Sequence, residues 1–331
     1  MPPDTAGAAG PSPEQFAGDS PAQVAKRLFS ATRPKFFPAS VLPVIAGSAW
    51  GFATSGGFDF AVFLLALFAT VCVHAGANVI NDVGDDAGGT DRRNADRIYP
   101  YTGGSRFIQA GIMSANGMAR LGLSLLAVAA VAGVLLLMAK GPMVLAFGVA
   151  GVLLAVLYSL GPLRLSSIGL GEIAVGIAFG VIPVVGAAWL QSGIVNIDSL
   201  LFSIPISAWV AAILLINEVP DIDADATTGK RTLPVRLGLS GTAVTYLILQ
   251  ILPAAVVVWH SVTGPLPLAT IVVPLLLTLL AFKAAAAIRK GGKGVEDREA
   301  MTKAIEATLA IHTIGALWMT GVALYIAFSA A

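Results

Sequence analysis

An all-α membrane protein with nine transmembrane helices is the fold that this sequence predicts, and three observations lead to it. Of the 331 residues, 56% are hydrophobic and only 12% are charged, whereas soluble globular proteins carry roughly 25% charged residues. The apolar residues fall into nine stretches, each approaching the roughly 20 residues that cross a bilayer core. The stretches lack strict alternation, and a membrane-spanning segment must satisfy its own backbone hydrogen bonds, so helices are favoured over strands.

The nine apolar stretches are separated by connections of very different length. Short connections such as "SGG" and "AKGP" indicate helical hairpins with tight turns. Proline and glycine inside the stretches, as in "GVIPVVGAAW", are tolerated in membrane helices and are expected to kink several of them. The predicted helices lie near 36–55, 58–80, 119–138, 142–160, 168–190, 198–219, 241–260, 266–287 and 304–328.

The N-terminal 35 residues differ from the rest of the chain. Residues 1–20 are rich in Pro, Gly, Ala and Ser and have no apolar core, so we expect a disordered tail there. Ser20, Pro21 and Gln23 supply an N-cap, a first-turn proline and a capping-box partner for a short helix within 21–35. This helix is expected to lie at the membrane interface. Residues 36–331 are expected to form the nine-helix transmembrane domain.

Basic residues predict the orientation in the membrane. Nineteen of the twenty Lys and Arg residues precede the first predicted span or lie in even-numbered loops, and only Lys140 lies elsewhere. By the positive-inside rule, the N-terminus and these loops face the cytoplasm and the C-terminus lies outside. The net charge of +1 gives no indication of a nucleic-acid partner. A single cysteine, Cys72, excludes a disulfide framework and a thiolate metal cluster.

Two similar acidic segments lie at the cytoplasmic ends of the second and sixth predicted spans. "INDVGD", from Ile80 to Asp85, matches "INEVPD", from Ile216 to Asp221, at an offset of 136 residues. A repeat with the same orientation suggests two pseudo-repeated helical halves around a central cavity. The sequence therefore predicts one composite site where the two acidic ends meet.

The acidic segments have the composition of a site for a hard cation. On a helix, Asn81 and Asp85 share one face at i and i+4, and so do Asn217, Asp221 and Asp225. Neither segment contains His or Cys, so oxygen ligands favour Mg²⁺ over zinc or copper. Magnesium held by few carboxylates usually completes its shell with water and substrate phosphates. A diphosphate bridged by metal ions is therefore the predicted ligand.

Basic residues follow both acidic segments, and their side chains suit phosphate oxygens. Lys230 and Arg231 follow the second segment, and Arg92, Arg93, Arg97 and Arg106 follow the first. Acids, asparagines and bases repeated twice at one membrane face predict a diphosphate site. The alternative is that the acids solvate helix ends and balance nearby arginines.

Three further residues have two interpretations each. His74 shares a helix face with Asn78 and Asn81, and for a lone membrane histidine a helix–helix hydrogen bond is favoured over catalysis. Tyr158 is either an aromatic residue of the membrane interface or part of the site. Glu172 either complements a helix N-terminus or belongs to the site.

Four segments together resemble the UbiA superfamily of membrane-embedded prenyltransferases, most closely its MenA-type branch, which prenylates 1,4-dihydroxy-2-naphthoate in menaquinone synthesis. They are "TRPKFFPASVLPVIAG", "NVINDVGDDAGGTD", "YSLGPLRLSSIGLGE" and "INEVPDIDADATTGKRTLPVRLG". The resemblance implies metal ligands at Asn81, Asp85, Asn217, Asp221 and Asp225, with Asp91 as a third acid of the first motif. Many members carry Asn-x-x-x-Asp-x-x-x-Asp; from Asn81 the last position is Gly89 in this chain. The alternative register uses Asn78, Asp82 and Asp86.

The resemblance also implies a reaction. A polyprenyl diphosphate and an aromatic acceptor would meet at the cytoplasmic face of the bilayer, with Mg²⁺ and basic side chains neutralising the departing diphosphate. The implied catalytic residues include Asp85 and Asp221, with Tyr158 stabilising an allylic cation and Asp91 acting as base. The predicted diphosphate-binding residues are Arg33, Lys35, Arg97, Arg106, Lys230 and Arg231.

Two alternatives stay open. The same chemistry can use a non-aromatic acceptor, such as a glycerol-phosphate lipid. A cation-coupled secondary transporter is a different class, in which the repeated acids would bind ions for translocation. A transporter predicts acids near the middle of the membrane, whereas these acids lie at the ends of the predicted spans.

Overall fold

The computed structural model describes residues 10–89, 97–159, 164–292 and 294–329, and every regular element within these ranges is helical. Eight helices of this part of the chain are long and apolar enough to cross a membrane, and a shorter apolar helix, Met143–Ser159, occupies the fourth predicted span. The all-α membrane fold is confirmed, while a ninth crossing stays a prediction. The helices are α1 (Pro21–Ala31), α2 (Pro38–Ser55), α3 (Phe60–Gly88), α4 (Ala115–Lys140), α5 (Met143–Ser159), α6 (Gly171–Ser192), α7 (Ile197–Asn217), α8 (Ile222–Thr227), α9 (Leu233–Thr263), α10 (Val272–Lys290) and α11 (Val295–Ser329).

Helix α7 is the centre of the bundle. Of its most apolar 18-residue window, 72% is buried within the protein, against 22% for α4, whose apolar side chains are free to face lipid. Trp209 and Leu215 of α7 are completely buried in the largest apolar cluster, to which α2, α6, α9, α10 and α11 also contribute. The acidic segment after α7 is therefore anchored on the most firmly packed helix of the bundle.

Helix α3 continues past the apolar stretch that predicts it. It begins at an N-cap, where the Asp59 carboxylate accepts a hydrogen bond from the backbone N–H of Val62 at 3.0 Å. It ends only at Gly89, whose φ of 71° closes the helix in the left-handed conformation that glycine favours. The first acidic segment is therefore helical up to Gly88, and Asn81 and Asp85 share a face as predicted.

The second acidic segment does not form the continuous helical column predicted for Asn217, Asp221 and Asp225. Helix α7 ends at Asn217, and α8 begins at Ile222 after an irregular turn. Pro220 explains the break, because proline has no N–H for the helical ladder and its ring clashes with the preceding turn. The prediction of one helical face for these three residues is wrong, although the Asp225 backbone N–H still donates to the Asp221 carbonyl at 2.9 Å.

The N-terminal segment is partly ordered. The predicted capping box of α1 is confirmed. The Ser20 side chain accepts a hydrogen bond from the Gln23 backbone N–H, and the Gln23 side chain accepts one from the Ser20 backbone N–H. Within the segment predicted as a disordered tail, residues 13–16 form a 3-10 turn, and Phe16 is buried with its ring centroid 4.9 Å from that of Phe107. The buried Phe16 ring packs this segment against the protein, a contact that the composition of the segment does not indicate. Residues 1–9 lie outside the described part.

Two glycines allow α2 to touch α6. A Cβ on Gly47 would lie 2.2 Å from the carbonyl oxygen of Val184, and a Cβ on Gly51 would lie 2.3 Å from that of Ala188. Their spacing of four residues is the small-xxx-small pattern that brings membrane helices together. Because the opposing atoms are backbone, a side-chain rotation cannot relieve the clash.

Replacing Gly47 by alanine is expected to destabilise the protein by about 1–3 kcal/mol, the usual cost of overpacking. Thermal unfolding in detergent measures the effect. Gly148→Ala in α5 is the matched control, since a Cβ there meets no atom within 4 Å and alanine has the higher helix propensity. An unchanged melting temperature for Gly47→Ala would contradict the tight α2–α6 contact.

Candidate functional site

The two acidic segments meet at one lysine. Lys230 Nζ lies 3.6 Å from Asp85 Oδ1 at the end of α3 and 3.6 Å from Asp225 Oδ1 in α8. Asn81 donates through Nδ2 to Asp85 Oδ2 at 2.8 Å, which fixes the carboxylate from the other side. Asp221 also interacts electrostatically with Lys230. Oxygen atoms from both segments therefore converge on a single positive charge.

The electrostatics of this cluster reflect its burial. Burial raises the pKa of Asp225, and the nearby Lys230 ammonium partly opposes that effect. Burial alone would lower the pKa of Lys230, but the carboxylates of Asp85, Asp225 and Asp221 bring it above its usual value. Lys230 is therefore charged at neutral pH, and the surrounding carboxylates form a negatively charged site that stabilises a cation.

The structure separates the two registers of the first acidic motif. The alternative register makes other contacts: Asn78 donates to the Thr32 carbonyl at 3.0 Å, and Asp82 Oδ2 accepts from the Ser105 backbone N–H at 3.1 Å. Its third residue, Asp86, accepts from Gln109 Nε2 at 3.2 Å. These residues hold the 97–113 loop and the end of α1 against α3. Asn81 and Asp85 are the pair that faces the second acidic segment.

A second pair of carboxyl groups adjoins the cluster. Glu172, in the first turn of α6, is 4% exposed, and its carboxyl lies within hydrogen-bonding reach of Glu218, the C-cap residue of α7. Burial raises the pKa of Glu218 well above its usual value, and Glu172 raises it further. Tyr158 interacts electrostatically with both glutamates and with Asp85. Of the two interpretations of Glu172 and of Tyr158, the one that places each beside the site agrees with this geometry.

Glu218 was not among the predicted site residues. In the match between the two segments it stands opposite Asp82, which belongs to the alternative register. The sequence feature that could have identified Glu218 is its position between Asn217 and Asp221, just before Pro220. The helix ends there, and Glu218 lies against Glu172 instead of continuing the helical face.

Arg33 and Lys35 lie on the connection between α1 and α2. Arg33 adopts a left-handed backbone with φ of 58°, donates through Nη2 to the Tyr101 carbonyl at 3.4 Å, and interacts electrostatically with Asp82. Its Nε is buried and has no hydrogen-bond partner among the described residues, as expected of a group that awaits an anion. Lys35 is exposed and lies 5.4 Å from the centroid of the Tyr101 ring. Diphosphate binding stays a prediction for both.

The remaining basic residues predicted to bind diphosphate make their described contacts away from the carboxylate cluster. The Arg97 guanidinium lies 5.6 Å from the ring centroid of Tyr99, and Arg106 Nε donates to the Gly103 carbonyl at 2.9 Å. Arg231 is exposed, and its backbone N–H donates to the Ser167 carbonyl at 2.8 Å. Their roles also stay predictions. Asp91, Arg92 and Arg93 lie outside the described residues.

The donor set fits a hard cation. Asp85, Asp221 and Asp225 offer carboxylate oxygens, and Asn217 Oδ1 is buried without a hydrogen-bond partner in the described chain. Within the same residues, no three His, Cys, Asp or Glu side chains already converge as a preformed metal cage. Mg²⁺ is commonly held by one or two carboxylates and completes its shell with water and phosphate oxygens, so these oxygen donors would suit it.

His74 has the structural role that the sequence favours. Its Nδ1 lies 2.8 Å from Ser40 Oγ, which ties α3 to α2 through a buried hydrogen bond. Its ring packs edge-on against Phe37 and Phe179, with centroid separations of 5.5 Å and 4.9 Å. The helix–helix interpretation is confirmed.

Fold and site together define a polytopic helical membrane protein with one acidic, lysine-containing site where the ends of α3 and α7 meet. Residues 40–304 match the model of the UbiA prenyltransferase family. The chain therefore belongs to the UbiA family, in its MenA-type branch, and is a prenyltransferase.

Relatives of known activity support the branch. A 1,4-dihydroxy-2-naphthoate octaprenyltransferase of Mycobacterium tuberculosis is 32% identical over 81% of this chain and 87% of its own length. The enzyme of the same name from Haemophilus influenzae is 32% identical over 64% of this chain and 70% of its own.

Solved structures support the fold. A UbiA homolog from Archaeoglobus fulgidus, bound to GPP and Mg²⁺, superposes with a TM-score of 0.58 at 14% identity, covering 89% of this chain and 100% of that one. A digeranylgeranylglyceryl phosphate synthase superposes with a TM-score of 0.56 at 18% identity, covering 91% and 99%.

Proposed function

We propose that this protein transfers a polyprenyl group from its diphosphate to an aromatic acceptor of the 1,4-dihydroxy-2-naphthoate type, in a reaction that requires Mg²⁺. The observation that carries the proposal is the convergence of Asp85 and Asp225 on Lys230. It provides negative groups for a metal ion and a positive group for a diphosphate within one site. The names of the relatives supply the acceptor class.

The reaction breaks two bonds and makes one carbon–carbon bond. The allylic C1–O bond of the prenyl diphosphate cleaves with its electron pair leaving on the diphosphate. A ring carbon of the acceptor forms the new bond to C1, and the ring regains aromaticity by losing a proton or, for a naphthoate, its carboxyl group as CO₂. Charge on the leaving diphosphate grows as the C–O bond breaks, so groups that bind it most strongly at that point accelerate the reaction.

The residues of the site have distinct roles in this proposal. Asp85, Asp221, Asp225, Asn81 and Asn217 would hold the magnesium, which neutralises the diphosphate when bound. Lys230 contacts diphosphate oxygens as a point charge. Tyr158 offers an aromatic face that stabilises an allylic cation by cation–π attraction. The apolar helices accept the isoprenoid tail and exclude water, which would quench the cation.

We also propose the orientation that the basic residues predict. The N-terminus, the ends of α3 and α7 and the site would face the cytoplasm, and the C-terminus would lie outside. Cysteine accessibility tests this in a Cys72→Ser background. A cysteine at exposed Asp223 should react with an impermeant maleimide only from the cytoplasmic side, and one at exposed Ile194 only from the other side.

Purified protein in detergent or nanodiscs tests the proposed reaction. Labelled prenyl diphosphates of several lengths are incubated with 1,4-dihydroxy-2-naphthoate, other aromatic acceptors and a glycerol-phosphate lipid acceptor. We expect a prenylated naphthalene product that disappears when EDTA removes Mg²⁺ and returns when Mg²⁺ is restored. Prenylation of the glycerol-phosphate acceptor alone would establish the non-aromatic alternative, and turnover unaffected by EDTA would refute the metal requirement.

The transporter alternative is less well supported. Its ion-binding acids should lie near the middle of the membrane, whereas Asp85 lies in the last turn of α3 and Asp225 lies beyond the end of α7. Ion uptake into proteoliposomes without prenyl diphosphate would nevertheless favour it.

A further inference from the structure

Glu172 and Glu218 form a polar pair that the magnesium and diphosphate chemistry does not use. They come from different helices, α6 and α7, and are held face to face by close packing. A Cβ on Gly171 would lie 3.4 Å from Leu214 and 3.8 Å from Glu218 Oε1. These distances are those of ordinary van der Waals contact, so the end of α7 packs directly against the start of α6 where the two carboxyls meet.

The pair retains unused hydrogen-bonding capacity. Glu172 Oε1 and Glu218 Oε2 are both buried, and neither has a hydrogen-bond partner among the described residues. No Lys or Arg of the described chain forms an ion pair with either carboxyl. A buried acceptor without a hydrogen-bond donor destabilises the protein, so a ligand that donates a hydrogen bond to each carboxyl would relieve this cost.

The charge of the pair selects the kind of ligand. Two carboxyls without a neighbouring base repel a diphosphate, which belongs beside Lys230. A neutral molecule that presents hydroxyl groups has the complementary hydrogen-bond donors. Tyr158 interacts electrostatically with Glu218, Glu172, Asp85 and Asp225, so a molecule at the pair lies next to the diphosphate cluster.

We propose that Glu172 and Glu218 bind the ring hydroxyl groups of the aromatic acceptor and so orient its nucleophilic carbon toward the allylic C1 of the prenyl diphosphate. This inference rests on the proposed function, and it assigns acceptor recognition to residues apart from those that hold the donor. The two glutamates act by position, placing one ring carbon within reach of C1.

Acceptor recognition by hydrogen bonding has a specific consequence. A site built to bind a hydroxyl rejects an analogue that lacks it by as much as about 10⁴-fold, because its buried polar groups are then left unpaired. The wild-type enzyme should therefore discriminate strongly between a dihydroxynaphthalene acceptor and its dimethoxy analogue, which has the same ring and no hydroxyl donors. Replacing one acceptor oxygen of each carboxyl by an amide NH₂ donor should reduce that discrimination.

The experiment compares the wild type with Glu172→Gln, Glu218→Gln and the control Glu299→Gln, whose exposed carboxylate contacts only Lys303 among the residues described. For each enzyme, kcat and KM are measured with dihydroxy- and dimethoxynaphthalene acceptors at saturating donor, and the KM of the donor is measured separately. We expect at least a tenfold higher acceptor KM in both site variants, reduced hydroxyl-to-methoxy selectivity and a donor KM changed by less than threefold. The control should match the wild type.

The possible outcomes separate this inference from the proposed function. If both variants turn over as fast as the wild type and keep its hydroxyl-to-methoxy selectivity, the acceptor inference is overturned and the proposed function remains intact. A rise in the donor KM instead of the acceptor KM would have the same meaning. Absence of aromatic prenylation by the wild type would overturn both. If neither variant folds, the wild type decides by thermal unfolding without donor: the dihydroxynaphthalene should raise the melting temperature in a saturable way. An equal rise with the dimethoxy analogue would refute the inference.

Discussion

Replacing Asp85 by alanine is expected to lower kcat for prenyl transfer by about 10²–10³-fold, the usual cost of losing one group that stabilises transition-state charge. The carboxylate accepts from Asn81 and faces Lys230, so its loss removes a metal ligand and leaves the lysine with one partner fewer. Its side chain is 27% exposed, and the melting temperature should therefore fall little. Steady-state kinetics with a magnesium titration measure the effect, and the variant should need more Mg²⁺ for half-maximal rate.

The matched control for Asp85→Ala is Asp86→Ala, one residue further along α3. Asp86 belongs to the alternative register and accepts from Gln109 in the 97–113 loop, so we expect a modest loss of stability and a magnesium requirement like that of the wild type. The reverse result, with Asp86→Ala inactive and Asp85→Ala active, would assign the metal to the alternative register. Equal activity of both variants with the wild type would refute the metal site at the end of α3.

Most of the fold can be predicted from the sequence because the bilayer imposes length and polarity directly. The apolar stretches near 58–80 and 198–219 each correspond to one helix, α3 and α7. Helix ends are less predictable, since an apolar window stops where charge begins while a helix continues into water. Helix α11 begins at Val295, well before the apolar stretch predicted at 304–328, and its first turn carries Glu296 and Asp297. Acidic residues favour a helix N-terminus, but a hydropathy window does not register them as helical.

The candidate site is predictable as far as the repeat extends. Matching "INDVGD" to "INEVPD" identifies Asn81 and Asp85 as the register that faces the other segment, and the structure brings Asp85 and Asp225 to the same lysine. The same match conceals the local difference between glycine and proline. Gly84 leaves α3 unbroken, whereas Pro220 ends α7 and redirects Glu218 toward Glu172. Contacts between segments distant in sequence, such as Lys230 with Asp85, require the tertiary structure.

Lys230 competes with the proposed metal ion for the same carboxylates. It forms ion pairs with Asp85 and Asp225, which are also proposed to bind metal. A magnesium ion and an ammonium group cannot both occupy the space between these carboxylates, because they carry the same sign of charge. With magnesium bound between these carboxylates, the flexible lysine side chain would leave them and turn to the diphosphate oxygens, which a point charge on a long stem suits.

Replacing Lys230 by methionine, which keeps the length of the stem without its charge, is expected to lower kcat about 10²-fold or more and to raise the donor KM. The same change should lower the Mg²⁺ concentration that gives half-maximal binding, because the ion no longer competes with an ammonium for Asp85 and Asp225. Kinetics give the first effect, and isothermal titration of the enzyme with Mg²⁺ gives the second without turnover. Lys303→Met is the control, since its ion pair with Glu299 is exposed and such pairs contribute little. Weaker magnesium binding in Lys230→Met would contradict the competition and indicate that the lysine organises the carboxylates for the metal.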